Sequence, residues 1–218
     1  MKHPEQARGK DTMTGPTPKN NRGIGYGMLY PKGWREYPVT VEGEAQLAKV
    51  ATDKAKKLGR ADIVLLIRRS VHDTFERLRR QGAISTVVPT ETISENSVIP
   101  SSLIITPVRA NAGTSLAAAV ARAAMGQHVA TEEIDGAQWF HWLGAEKRHE
   151  DGQFVQAEVN FVVPRPRQDG SIDPAPEVGL RIIYTYGFLE SQRGSEEIEL
   201  LRDLGYGIIG TFKWVGLE

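Results

Sequence analysis

Val155-Gln156-Ala157-Glu158-Val159-Asn160-Phe161-Val162-Val163 is the stretch whose reading decides the fold class. Val155, Ala157, Val159, Phe161 and Val163 fall on one side of an extended backbone, with Gln156, Glu158 and Asn160 on the other. That period of two is the pattern of a half-buried strand. Val178–Phe188 predicts a second strand after it. The segment between, Pro164-Arg165-Pro166-Arg167 through Pro174 and Pro176, cannot continue a ladder because proline has no N–H to donate, so it is a loop or arm. Ser195-Glu196-Glu197-Ile198 opens a helix with an N-cap serine and an acidic first turn, and Ile208–Val215 reads as a terminal strand. The last third is therefore antiparallel β.

Upstream the pattern alternates. A buried strand over Asp62–Ile67 leads to a helix over Val71–Gln81 closed by Gly82, then to a strand over Ala83–Val88. A polar loop (Pro89–Ser97), a strand (Ser102–Val108), an Ala-rich helix (Thr114–Met125) closed by Gly126, and a strand near Gln138–Leu143 follow. This is the β-α-β-β-α-β order of a ferredoxin-like split unit. An earlier helix is expected from Glu44 to Leu58, with Gly59 at its C-cap. The expected fold is α+β: a mostly antiparallel sheet with helices packed on one face, a ferredoxin-like core, and an extended N-terminal arm. Residues 1–40 form the arm with its Gly–aromatic segment Gly23–Trp34. Residues 41–218 form the body, with a candidate sub-division near 130–150.

The chain has 218 residues and a formal net charge of +0, and that neutrality is a cancellation. Residues 1–110 carry 18 Lys+Arg against 11 Asp+Glu, and residues 111–218 carry 9 against 16. Opposed halves of this kind favour an anionic partner or head-to-tail self-association. The absence of cysteine excludes disulfides, thiolate nucleophiles and thiolate metal sites. The longest apolar run, Ile63–Ile67, is far short of a membrane span, and the polar start Met1–Gln6 is not a signal sequence. A cytoplasmic protein, or a component of a particle assembled in the cytoplasm, with no membrane partner, is expected.

Several segments invite a chemical reading. Gly205-Tyr206-Gly207-Ile208-Ile209-Gly210 matches G-x-G-x-x-G, but dinucleotide binding needs a strand before the loop and a helix after it. Here a helix precedes, its carbonyl end would repel phosphate, and Gly205 is read as a helix C-cap. Asn111–Ser115 lies between a strand and a helix without a phosphate-binding lysine, and Thr114 serves as an N-cap. Arg68, Arg69, Arg77 and Arg80 are the candidate nucleic-acid contacts, although Asp73 and Glu76 stand four residues before Arg77 and Arg80 and could pair with them. His141, among Trp139, Phe140 and Trp142, and His149, near Glu146, Glu150 and Asp151, are where an enzyme or metal site would have to be. No ligand spacing or catalytic motif supports one, so no catalytic, cofactor or metal residue is assigned.

The leading functional expectation is a non-enzymatic assembly subunit, such as a phage or virion connector, tail or capsid-associated protein. Tyr26, Tyr30, Trp34, Arg165 and Arg167 are its candidate assembly contacts, and its partners are other copies of itself or other subunits. The alternative is a nucleic-acid-binding module on a ferredoxin-like core.

Overall fold

The computed structural model describes residues 24–57, 59–91, 100–149 and 152–217. Most of the expected N-terminal arm (residues 1–23), Leu58, much of the polar loop (92–99), Glu150 and Asp151 lie outside them.

The elements run β1 (Gly25–Gly27), β2 (Trp34–Pro38), α1 (Val41–Lys57), α2 (Ala61–Arg80), β3 (Ser85–Pro89), β4 (Ser101–Arg109), α3 (Leu116–Ala124), β5 (Ala130–Ile134) and β6 (Ala137–Leu143). They continue with β7 (Lys147–Arg148), β8 (Phe154–Pro164), β9 (Val178–Leu189), a 3₁₀ turn (Glu190–Gln192), α4 (Glu196–Ile209) and β10 (Lys213–Val215). The main sheet has the order β2-β3-β4-β9-β8-β6-β5, β7 pairing with β8, and every pair in it is antiparallel. A separate two-stranded sheet joins β1 to β10. The α+β class with an antiparallel sheet is thus the observed one.

The ferredoxin-like order is not. Asp62–Ile67 is not a strand but part of one unbroken helix, α2, so the β-α-β start of the split unit is missing. A short apolar run has no period that separates strand from helix. Here the flanking arginines and leucines are good helix formers, and no turn residue interrupts them. The same correction applies at the other end: Ile208 and Ile209 belong to the buried face of α4, and the terminal strand shrinks to Lys213–Val215.

Strand β8 explains the layering. Its odd-numbered residues join Leu103, Ile105, Ile182, Tyr184, Ile208, Ile209 and Phe212 in the larger core, with α4 over that face. Its other side is also covered: Val162 packs with Phe140, Trp142, Leu116 and Val120, placing α3 on the opposite face. Helices therefore cover both faces rather than one, and the half-buried strand of the sequence pattern is buried on both sides over its C-terminal half. Asn160, fully buried, survives there because its Oδ1 accepts two N–H bonds from Arg181, at 3.0 and 2.6 Å. The Arg181 guanidinium in turn lies over the Trp142 ring, 5.1 Å from its centroid. Among the described residues no helix is long and apolar enough to cross a membrane.

Buried phenols tie the fold to pH. Tyr184, fully buried with its hydroxyl donating to the Leu201 carbonyl at 2.8 Å, is pushed up to about 12, mainly by burial. Tyr26 and Tyr30 are raised further, first by burial and then by the Glu36 carboxylate. Above pH 10 the unfolded chain releases phenolic protons that the folded chain keeps, so stability is full below pH 10 and falls as pH rises beyond it. For Tyr184 the slope is about 1.4 kcal/mol per pH unit up to about pH 12. Urea midpoints measured from pH 9 to 12 should drop over this window, and a flat profile would refute the assignment.

Candidate functional site

A cleft of about 490 Å³ opens where β8 ends. Its floor is an aromatic group at the edge of the larger core. Trp139 and Phe212 meet edge to face at 5.7 Å between centroids, and Phe212 and Trp214 do so at 5.2 Å. Trp139 and Phe212 are buried, and Trp214 is half-buried. The indole N–H of Trp214 donates to the Pro164 carbonyl at 3.0 Å, tying β10 to the end of β8. Tyr26 stacks on Phe212 from β1, with ring centroids 6.1 Å apart.

The Pro164–Pro176 segment supplies the wall. It is a closed loop: Arg165 N–H donates to Val178, Arg167 N–H to Ser171 and Gly170 N–H to Arg167, all to backbone carbonyls at 2.9–3.0 Å. Ile172 reaches across to the β5–β6 turn at Gly136. A Cβ there would lie 2.7 Å from Ile172 Cδ1, and φ is +77°, so glycine is required twice over. Ile172 and Leu217 stand at the mouth, 47% and 39% exposed. Arg165, Lys213 and Asp135 line the opening and are exposed. Asp173 is occupied, accepting from Arg167 Nη2 at 3.4 Å and the Ala175 N–H at 3.2 Å.

Behind this floor lies a clasp. The Glu36 carboxylate accepts from the Tyr26 hydroxyl at 2.6 Å and the Tyr30 hydroxyl at 2.9 Å, while Tyr26 also bonds Ser85 at 2.7 Å. The segment before β2 is thereby held against the core that Tyr26, Met28 and Tyr30 pack on. No motif in the sequence marks Glu36: its two partners lie six and ten residues upstream, and Ser85, from β3, joins only through Tyr26.

The candidate residues fall in different places. Tyr26 and Tyr30 are half-buried in the clasp, and Trp34 is core at 7% exposure. Arg165 lines the cleft, and Arg167 is in its loop wall, paired to Asp173. Arg68, Arg69, Arg77 and Arg80 all lie on α2 and are exposed. Asp73 pairs with Arg69, at 3.9 Å, and Glu76 with Arg79, so neither meets the arginine four residues on. Glu44 of α1 also holds Arg79, by a short bond, and His72 at 2.8 Å, which raises the histidine's pKa through that bond. His141 stacks on Phe161 at 5.4 Å and His149 meets Phe154 edge-on at 5.1 Å, so the two histidines take up separate aromatic contacts. Glu146 is taken by the Arg193 guanidinium at 2.8–3.0 Å, which lowers its pKa. Among the described residues no group of three or more histidines and carboxylates could hold a metal ion.

The G-x-G-x-x-G glycines are inside a helix rather than in a loop. α4 runs through Gly205 and Gly207 and is capped by Gly210. Gly205 is where the helix meets the sheet: a Cβ would lie 2.3 Å from Tyr184 Cδ1. Ser115, not Thr114, is the N-cap of α3, accepting from Ala118 N–H at 3.2 Å.

No protein family and no curated protein matches this sequence. Among solved structures, the chain is similar to LpqN of Mycobacterium tuberculosis, a protein involved in cell envelope biogenesis, at 10% identity and a TM-score of 0.45, over 90% of this chain and 87% of that one. It is similar to a Bacteroides thetaiotaomicron VPI-5482 protein at 10% identity and a TM-score of 0.40, over 86% of this chain and 44% of that one. It is also similar to PsbP (CyanoP) of Synechocystis sp. PCC 6803 at 11% identity and a TM-score of 0.40, over 93% and 99%. Likenesses this distant assign no family and transfer no function. The expectation of a virion connector, tail or capsid-associated subunit, with its nucleic-acid-binding alternative, is corrected to the extent that the similar structures are described as a cell-envelope biogenesis protein and a PsbP, not as either of these.

Proposed function

We propose that this is a non-enzymatic binding protein whose cleft takes a small, predominantly apolar molecule. One observation carries the reading: the aromatic edge of the core is left open. Trp139, Phe212 and Trp214 form a fixed floor, and two large apolar side chains, Ile172 and Leu217, stand partly in water around about 490 Å³. Apolar area held in water costs about 25 cal/mol per Å², which a ligand laid across it recovers. The volume is that of a small-molecule site, and an apolar lining with a few polar groups is the usual composition of one. Floor and wall are cross-linked by the Trp214–Pro164 bond and the loop's own hydrogen bonds, so little ordering is left to oppose binding. The ionisable groups of the lining other than the paired Asp173 are exposed at the mouth, which suits orienting a ligand rather than moving protons.

N-phenyl-1-naphthylamine, a neutral apolar probe, should bind saturably at one site. Two of the four tryptophans line the cleft, so tryptophan emission should change with the same midpoint. Ile172→Asp should weaken the probe at least tenfold while leaving the melting temperature unchanged, because Ile172 is already half exposed. Unsaturable binding, or full affinity in I172D, would refute the reading.

A further inference from the structure

We infer that the molecule taken by this cleft is a free anionic amphiphile, a single alkyl chain ending in a carboxylate or sulfate. Its chain would lie on Trp139, Phe212 and Trp214, with its head group between Arg165 and Lys213. The inference rests on the cleft being a binding site, and adds the chemistry of what enters it.

The two cations are its basis. About half of the arginines among the described residues are held by carboxylates. Arg60 pairs with Asp62, Arg148 with Glu190, Arg167 with Asp173, and Arg193 with both Glu146 and Glu190. Arg165 and Lys213 are in no ion pair among the described residues, and both line this cleft.

Their placement is fixed by the backbone. Arg165 directly follows β8, its N–H bonded to the Val178 carbonyl at 2.9 Å, and Lys213 opens β10 in register with Gly27. The Trp214 indole bond to Pro164 links the chain neighbour of each, and both residues line the cleft over the apolar floor. Of the lining carboxylates, Asp173 is satisfied by Arg167 and the Ala175 N–H, and Asp135 sits at the tip of the β5–β6 turn. The balance at the mouth is thus positive beside an aromatic surface.

A carboxylate or sulfate matches the fork of an arginine and the point charge of a lysine, and these charge-assisted bonds are stronger beside apolar surface than in open water. A cationic head would meet repulsion. The volume suits one chain rather than the paired chains of a bilayer lipid, which assigns the ligand to the free form.

Displacement of N-phenyl-1-naphthylamine from the full chain tests this, using decanoate, decyl sulfate, decanol and decyltrimethylammonium, each below its micellar concentration. The two anions should displace the probe at concentrations at least tenfold lower than the alcohol or the cation, and added salt should narrow the gap. An R165Q/K213Q variant should lose the preference while still binding decanol, with an unchanged melting temperature because both side chains are exposed. Equal displacement by all four, or a preference intact in the double variant, would overturn the inference and leave the cleft a binding site. No probe binding at all would overturn both. Displacement by phosphatidylglycerol vesicles as strong as by decanoate would overturn the free ligand in favour of a membrane.

Discussion

Gly205→Ala should destabilise the protein by about 2 kcal/mol, although alanine is the better helix former. The usual gain from Gly to Ala within a helix is about 1 kcal/mol. At Gly205 the added methyl would lie 2.3, 2.6 and 2.7 Å from Tyr184 Cδ1, Cε1 and Cγ. That ring cannot yield cheaply, being fully buried, stacked on Tyr186 at 5.8 Å and anchored through its hydroxyl to the Leu201 carbonyl. Overpacking in so fixed a setting lies near the upper end of its usual range, about 3 kcal/mol, and outweighs the helix gain. Gly207, two residues on in the same helix, has nothing within 4 Å of its Cβ position and is exposed. Gly207→Ala should therefore stabilise by about 0.5–1 kcal/mol. Urea unfolding of the two variants should show shifts of opposite sign, about 3 kcal/mol apart. Shifts of the same sign would mean that α4 does not seat on Tyr184. Because α4 leads through Ile209 to Phe212, G205A should also loosen the probe in the cleft.

Removing the Glu36 carboxylate has an effect of similar size. In Glu36→Ala two phenol hydroxyls lose a charged acceptor, each such bond being worth about 1.5–3 kcal/mol. Glu36 is half-buried and water can replace part of the loss, so about 3 kcal/mol is expected in total. Tyr30→Phe removes one bond and leaves the Tyr26–Glu36–Ser85 contacts intact, so about 1 kcal/mol is expected. Tyr26 stacks on Phe212, so E36A should also expose the segment before β2 to protease and weaken the probe, while Y30F should do neither strongly. If the two variants cost the same, the carboxylate is not the clasp.

How much of this was legible in the sequence depends on the range of the interactions. β8 and β9 were, because period two is a local property of the backbone. The α3 boundaries came close too, set by Ser115 at the N-cap and by Met125 and Gly126, both at positive φ, at the C-terminal end. Strand β5 was missed: Ala130-Thr131-Glu132-Glu133-Ile134 buries no residue and is an edge strand held by β6. The cleft was legible only in fragments. Trp139 stands in an aromatic run and Arg165 in a proline–arginine loop, but in sequence Phe212, Lys213 and Trp214 have only the pattern of an ordinary terminal strand. These residues come together only through the β1–β10 pairing and the Trp214–Pro164 bond, which spans 50 positions.

By itself, the sequence determined the α+β class, the central antiparallel strands, the Ser195 N-cap of α4, the glycines that close α2 and α3, and a chain without thiol chemistry. Each follows from neighbours within a few residues, where backbone sterics and side-chain period act directly. The tertiary structure decided which faces the helices cover, that Gly205 is a packing contact against Tyr184, and that Trp139, Phe212 and Trp214 meet in an aromatic cleft. Those outcomes depend on segments distant in sequence meeting at van der Waals and hydrogen-bond distance, and no local pattern encodes a partner that folding has yet to bring near.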